Sequence, residues 1–163
     1  MVEIHGLSQL LSDHSVFAGF ADPYMELIAG CTANIVVPAG EYIFREGEPA
    51  DRFYLIRHGR VALEVFVPGK TPIIVDTLKV GDLLNFSWLL PPYRNSFDAR
   101  AIDLTRLLSL DAACLRGKME NDHTLGYELH KRFAPIIAAR LAAARRQLID
   151  MYGHPNDRGH AWP

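Results

Sequence analysis

The chain has 163 residues, a formal net charge of −2 and a hydrophobic fraction of 49%. This length suits one domain with a full core, and the near-neutral charge excludes a strongly basic nucleic-acid binder and an acidic disordered tail. The cysteines Cys31 and Cys114 form no C-x-x-C pair, which excludes a disulfide-rich scaffold and an ordinary zinc finger. The sequence predicts that they are two separate buried thiols in a reducing compartment.

The N-terminal part predicts a small helical lead-in over residues 1–32, because its apolar side chains recur at helical spacings. Asp13 and Asp22 are candidate helix caps, and Pro23 suits the first position of a helix. The first residues lack the basic and then apolar pattern of a secretory signal, and no apolar run approaches the length of a membrane span. We therefore expect a cytoplasmic protein.

Residues 33–110 predict an all-β region, since short runs of β-branched and aromatic residues alternate with Gly and Pro turns. The predicted strands are residues 34–37, 42–44, 52–57, 60–67, 73–78, 97–102 and 105–110. Strands this short, with turns this frequent, favour an all-β sandwich or barrel over alternating βαβ units. Residues 85–94 break the rhythm and predict a brief helical turn that ends at Pro91 and Pro92.

Residues 111–152 predict helices, one over 111–121 and a long one that begins near Asp122 or Thr124. Pro135 should kink the long helix or divide it in two. Residues 153–163 form a short polar tail that we expect to fray.

The C-terminal half of the long helix carries a narrow apolar seam, in which spacings of four and three residues alternate. The seam residues are Ile137, Leu141, Ala144, Leu148 and Met151. Such a pattern predicts a homodimer through two facing helices. The alternative is that this helix packs on its own β-domain.

Two stretches resemble the opening strands of cyclic-nucleotide-binding domains. Gly40–Ile56 reads GEYIFREGEPADRFYLI, and Arg57–Val65, the next hairpin, reads RHGRVALEV. Val80–Leu84 and Arg100–Ala101 resemble the two borders of that family's phosphate-binding cassette, so residues 81–101 are the cassette-like segment. The order of helices and strands looks most like the sensor domain of catabolite-activator-type (Crp/Fnr) regulators without the DNA-binding domain. The resemblance implies a mainly β fold with flanking helices: a double-stranded β-helix, or jelly roll, with N-terminal helices and a long C-terminal helix.

The cassette-like segment departs from the pattern of the family it resembles. There, a Gly and a Glu open the cassette and an Arg follows, with the Glu on the ribose hydroxyl and the Arg on the cyclic phosphate. Aligned without gaps, this chain has Asn85 at the Gly, Phe86 at the Glu and Asn95 at the Arg. Because phenylalanine accepts no hydrogen bond, the ribose contact is missing.

Two arginines could replace the missing charge. A one-residue bulge would bring Arg94 to the phosphate, and Arg100 is a second candidate, although either could instead pair with a protein carboxylate. The aromatic residues Phe86, Trp88 and Tyr93 either pack the mouth of the roll or form a flatter, more apolar pocket for another effector. The candidate binding residues are Gly81, Asn85, Phe86, Ser87, Trp88, Arg94, Asn95 and Arg100.

The resemblance therefore implies a non-enzymatic sensor or regulatory domain whose effector is a cyclic nucleotide or another small anion. No cofactor is expected, because the histidines form no metal-binding pair and no nucleophile or phosphate-loop motif is present. One alternative is a degenerate roll that acts as a dimeric protein-interaction module. Another is a transcription-regulator homologue without a helix–turn–helix, since eleven residues follow Tyr152. The basic residues of the long helix provide no base readout on their own.

Overall fold

The computed structural model describes residues 2–153, with side chains from residue 6 onward. The tail predicted for residues 153–163 lies outside the described residues except for Gly153. The chain divides into two compact units, Met1–Gly126 and Tyr127–Pro163. The predicted domain limits at residues 32, 110 and 152 stay predictions.

The first unit contains an antiparallel β-roll made of two four-stranded sheets. Its strands are β1 (Thr32–Val37), β2 (Tyr42–Phe44), β3 (Arg52–His58), β4 (Val61–Val65), β5 (Ile73–Leu78), β6 (Leu83–Leu84), β7 (Asp98–Ala101) and β8 (Thr105–Asp111). One sheet has the order β1-β8-β3-β6, and the other has the order β2-β7-β4-β5. The predicted roll with flanking helices is confirmed.

The two sheets enclose an apolar core because alternate side chains of their strands point inward. Its buried members are Tyr54, Ile56, Val61, Leu63, Leu78, Leu84, Ala99 and Leu107. Strand β6 was not predicted from the sequence, because its two residues are too few to show a strand period. This short strand pairs with Tyr54 and Leu55 and so attaches the start of the cassette-like segment to β3.

Four helices flank the strands in the described residues: α1 (Val2–Ser12), α2 (Asp22–Ala29), α3 (Ala112–Asn121) and α4 (His123–Tyr152). The prediction of Asp22 as a cap is wrong. Ala21 occupies that position without a side-chain bond, and Asp22 lies in the first turn, where it faces the positive helix end. No helix begins directly after Asp13, and its Oδ1 accepts a hydrogen bond from Gln9 Nε2.

Pro135 lies inside α4, so of the two predicted outcomes the division into two helices is wrong, and the kink stays a prediction. A proline removes one backbone hydrogen bond, whereas the other bonds of this 30-residue helix remain available to continue it. The predicted short helix is present as α3, and the Asp111 side chain caps it by accepting from the Cys114 amide.

The prediction of two separate thiols is also wrong, because Cys31 and Cys114 form a disulfide. Pairing of β1 with β8 sets Thr32 opposite Leu110, and the Asp111 amide then donates to the Cys31 carbonyl. The first turn of α3 brings Cys114 back over this point, where the two Cα atoms are 6.0 Å apart. Spacing along the chain cannot show this proximity, since only the strand register produces it.

The predicted seam lies on the second compact unit, on the exposed surface of α4. Leu141 is 51% exposed, Leu148 is 53% exposed and Met151 is 77% exposed. Ile137 and Ala144 are exposed as well. None of the described helices combines the length and apolarity that crossing a bilayer requires.

Candidate ligand-binding site

A cavity of about 230 Å³ lies where β2, β3 and the cassette-like segment meet. Its lining residues are Ile43, Phe44, Glu48, Pro49, Asp51, Arg52, Tyr54, Asn85 and Asn95. Strand β2 belongs to one sheet and β3 to the other, so the cavity opens between the two sheets of the roll. The turn between these strands supplies the acidic lining residues.

Two asparagine amides form the cassette wall of the cavity. Asn85 Nδ2 donates to Asn95 Oδ1 at 2.8 Å and to the Arg52 carbonyl at 3.0 Å. Asn95 is buried, and its own Nδ2 donates to the Arg45 carbonyl at 3.3 Å. Asn85 has a φ of 79°, a left-handed conformation that asparagine tolerates better than most residues. The amide pair thus joins the two ends of the cassette to the loop before β3.

Two aromatic lining residues form an aromatic wall of the cavity. The rings of Phe44 and Tyr54 are stacked, with centroids 6.2 Å apart and planes inclined by 16°. Burial is the largest cause of the shift and raises the pKa of Tyr54 above 10.0, while Arg52 lowers this pKa and Glu48 raises it. Because the net shift is upward, the phenol stays neutral at ordinary pH. This wall offers an apolar surface to a ligand.

The charged lining residues are two carboxylates, Glu48 and Asp51, and one guanidinium, Arg52. Arg52 Nη1 donates to Ser109 Oγ at 3.2 Å, and Glu48 Oε2 accepts from the Arg45 amide at 3.1 Å. Carboxylates therefore outnumber cations along the lining. Such a surface attracts hydrogen-bond donors more strongly than it attracts an anion.

The two candidate phosphate-binding arginines lie outside the cavity lining. Arg100 donates from Nε to Glu64 Oε1 at 2.7 Å, and this hydrogen bond raises the pKa of Arg100 above its ordinary value. Glu64 is 1% exposed and the Arg100 side chain is 34% exposed, so the ion pair is buried at its carboxylate end and reaches solvent at its guanidinium end. Arg94 is exposed, and its Nη1 donates to the Gly47 carbonyl at 2.9 Å.

The predicted helical turn of the cassette is a 3₁₀ turn over Ser87–Leu89, and it places Trp88 in the interior. Trp88 is fully buried and stacks on Phe53, with centroids 4.4 Å apart and planes inclined by 7°. Its carbonyl accepts from Arg116 Nη1 of α3 at 2.8 Å, and the Arg116 guanidinium lies 4.4 Å from the centroid of the Tyr93 ring. The turn is thereby attached both to β3 and to α3.

The structure brings together two of the eight candidate residues at the cavity, Asn85 and Asn95. The others lie elsewhere: Gly81, Phe86, Ser87, Trp88, Arg94 and Arg100 are absent from its lining. The cavity residues on β2, β3 and their connecting turn were missed. Two short apolar runs, Tyr42–Phe44 and Phe53–Ile56, lie on either side of the Gly47–Pro49 turn and were the signal that could have shown them.

No set of three or more His, Cys, Asp or Glu side chains in the described part of the chain is arranged to hold a metal ion.

Residues 34–122 match the family model for the cyclic nucleotide-binding domain, which is more than half of the chain. The chain belongs to this family. A CRP-like cAMP-activated global transcriptional regulator of Mycobacterium tuberculosis is 22% identical over 145 residues, which are 89% of this chain and 63% of that protein. The chain thus spans less than two thirds of this relative's length. A putative potassium channel protein of Rhodopseudomonas palustris is 30% identical over 66% of this chain and 27% of that protein.

Solved structures of the cyclic nucleotide-binding family share the fold. A putative cyclic nucleotide-binding protein from Geobacter metallireducens is 28% identical with a TM-score of 0.74, over 82% of this chain and 97% of that one. The catabolite activator protein of Thermus thermophilus is 24% identical with a TM-score of 0.66, over 84% of this chain and 62% of that one. The resemblance inferred from the opening strands and cassette borders is confirmed.

Proposed function

We propose that this cyclic nucleotide-binding domain is a non-enzymatic sensor whose effector occupies the cavity between the two sheets. One observation carries the proposal: the cavity is bounded by β2 and β3 on one side and by the cassette residues Asn85 and Asn95 on the other. A ligand there contacts both sheets and the cassette at once. Such a ligand shifts the equilibrium between two arrangements of the domain only as far as its affinity for one differs from its affinity for the other.

Contacts between the cassette and α3 suggest how binding of an effector in the cavity affects that helix. Arg116 of α3 binds the Trp88 carbonyl and stacks on Tyr93, so a movement of the cassette would displace the side chain that anchors α3 to it. This arrangement supports α3 as the first element to respond to the effector. The cytoplasmic location expected from the N-terminal sequence stays a prediction.

The effector that fits this lining is small and carries hydrogen-bond donors. The cavity lies below the roughly 300–1,000 Å³ of sites for drug-sized ligands, and Glu48 and Asp51 supply acceptors. An amide replaces the arginine of the family pattern at Asn95, which disfavours a cyclic phosphate. An anionic group that extends from the cavity toward solvent would use Arg94, because its exposed guanidinium is bonded to the neutral Gly47 carbonyl, whereas Arg100 is paired with the Glu64 carboxylate.

A thermal-shift screen tests this proposal with small amines, amides, nucleosides and nucleotides as probes. We expect hits that carry donors to lose their shift in Asp51→Asn and to keep it in Glu41→Gln, a change at an exposed carboxylate outside the lining. Anionic hits should be lost in Arg94→Ala and retained in Arg100→Ala. If no probe shifts the wild-type protein, the sensor proposal fails.

A second candidate function, the dimeric interaction module, is supported by the exposed apolar seam on α4. Its residues Ile137, Leu141, Ala144, Leu148 and Met151 are where we propose that two copies meet. Absence of any small-molecule shift together with a dimer in solution would favour this module over the sensor. The regulator homologue without a helix–turn–helix stays open as a further prediction.

A further inference from the structure

We propose that Cys31 and Cys114 are a redox-reactive thiol pair that hydroperoxides oxidise to the disulfide. The proposal adds a covalent modification site that lies away from the cavity and does not depend on the identity of the effector. Three features carry it: the strand register that pairs the cysteines, the charges around Cys114, and the contacts of α3 with the cassette.

The positions of Cys31 and Cys114 are suited to a disulfide within the chain. The Cα atoms are 6.0 Å apart, inside the range of about 4.4–6.8 Å that disulfides require. The positions are fixed by the backbone on both sides, since the Asp111 amide donates to the Cys31 carbonyl at 2.7 Å and the Cys114 amide donates to Asp111 Oδ1 at 2.9 Å. The same backbone keeps the two sulfurs close in the reduced protein.

The surroundings of Cys114 favour a reactive thiolate. Cys114 lies in the first turn of α3, a helix of 10 residues, at its positive end. Lys118 lies one turn further along, and its Nζ donates to the Leu27 carbonyl at 2.8 Å, which brings the ammonium to the end of α2 beside Gly30. A helix N-terminus and a lysine on the next turn both favour a thiolate, and the Asp111 carboxylate that accepts from the Cys114 amide opposes them.

The two cysteines differ in how far each is exposed to solvent. Cys31 is 6% exposed, whereas Cys114 is half-buried. A solvent-borne oxidant therefore meets Cys114 first, and Cys31 acts as the resolving thiol.

The reaction consumes one hydroperoxide for each disulfide. The Cys114 thiolate attacks the terminal peroxide oxygen, the O–O bond breaks, and an alcohol leaves with a proton from solvent as Cys114 becomes a sulfenic acid. The Cys31 sulfur then attacks the sulfenic sulfur, the S–S bond forms, and the hydroxyl leaves as water with the Cys31 proton. Two electrons pass from the sulfurs to the peroxide, and an exogenous dithiol reverses the crosslink.

Oxidation acts on the helix that holds the cassette. The crosslink ties the first turn of α3 to the junction of α2 and β1, and Arg116 of the same helix binds the Trp88 carbonyl. Breaking the crosslink removes one of the covalent and polar ties that fix α3. We therefore expect slower amide hydrogen exchange in α3 and in residues 86–93 of the oxidised protein than of the reduced one.

The test is the reaction of the reduced full chain with tert-butyl hydroperoxide, followed by intact mass and thiol alkylation. Wild type should lose the mass of two hydrogens and both alkylatable thiols, while staying a single chain without reductant. In Cys31→Ser, dimedone should trap a sulfenic acid at Cys114, and in Cys114→Ser the remaining thiol should give no adduct. Lys118→Ala should slow the reaction several-fold, and Lys70→Ala, an exposed lysine in a turn, should not.

Equal dimedone trapping in both cysteine variants would overturn the assignment of Cys114 as the attacking thiol. A wild-type protein that keeps two alkylatable thiols, or that crosslinks only between chains, would overturn the pair. A disulfide that dithiothreitol reduces only after unfolding in urea would make it a structural bridge and also refute the proposal. For the coupling, Arg116→Ala should abolish the exchange difference at residues 86–93 and retain it in α3.

Discussion

Replacing Trp88 by alanine tests whether the cassette turn packs the roll or lines a pocket. The side chain is fully buried and stacked on Phe53 at 4.4 Å. An aromatic side chain of this size buries about 250 Å², worth about 6 kcal/mol of transfer free energy at ~25 cal/mol per Å². Measured truncations of buried aromatics cost about 3–5 kcal/mol, and we expect a loss in that range for Trp88→Ala.

Calorimetric unfolding measures this loss. For a domain of this length each kcal/mol lowers the Tm by about 2–4 °C, so Trp88→Ala should lower it by about 6–20 °C. Phe97→Ala, at a phenylalanine that is 38% exposed, is the control and should cost well under half as much. A double-mutant cycle of Trp88→Ala with Phe53→Leu should give a coupling of about 0.5–1.5 kcal/mol. A Trp88→Ala protein that unfolds within about 1 kcal/mol of wild type would refute the packing role.

Three further predictions address the seam, the pH dependence and one turn. Light scattering should give twice the 18.3 kDa chain mass for the wild type. The double variant Leu141→Asp with Leu148→Asp should give the mass of a single chain. A wild-type monomer at tens of micromolar would contradict a dimer through the seam. Burial lowers the pKa of His14 below 6.5, so its contribution to stability is complete above pH 6.5 and is lost as the pH falls below it. Unfolding of His14→Gln should therefore depend less on pH than wild type between about pH 7 and pH 5, and equal slopes would refute this. Gly59→Ala should lower the free energy of unfolding more than Gly69→Ala. Both glycines have positive φ, but only at Gly59 would a Cβ meet a carbonyl oxygen at 2.6 Å. Equal losses of unfolding free energy in the two variants would show that this contact relaxes.

The strands could be predicted because local chemistry determines them. Runs such as Arg52–Arg57 and Thr105–Leu110 are β-branched, aromatic or leucine-rich and end at turn residues, and the structure has strands over Arg52–His58 and Thr105–Asp111. The cassette borders were recognised from Val80–Leu84 and Arg100–Ala101, because their order after the strand pattern of residues 40–65 resembles the family as a whole.

The contacts of the site could not be predicted in the same way. Arg100 was one of two candidates for an anion, and only the pairing of β4 with β7 shows that it lies opposite Ala62, two residues from Glu64 along β4. The disulfide likewise depends on the β1–β8 register, and the cavity depends on how two sheets approach each other. Such long-range geometry is absent from periodicity and spacing, which report only neighbours along the chain.

The most direct test of the altered cassette is isothermal titration calorimetry of cyclic AMP into two proteins. Wild type should bind with a Kd above about 10 μM or not at all, because a missing hydrogen bond to the ribose hydroxyl costs roughly 1–3 kcal/mol, tenfold to a hundredfold in affinity. The triple variant Asn85→Gly, Phe86→Glu and Asn95→Arg, which restores the family pattern, should bind at least tenfold more tightly. A submicromolar Kd for the wild-type protein would contradict the account.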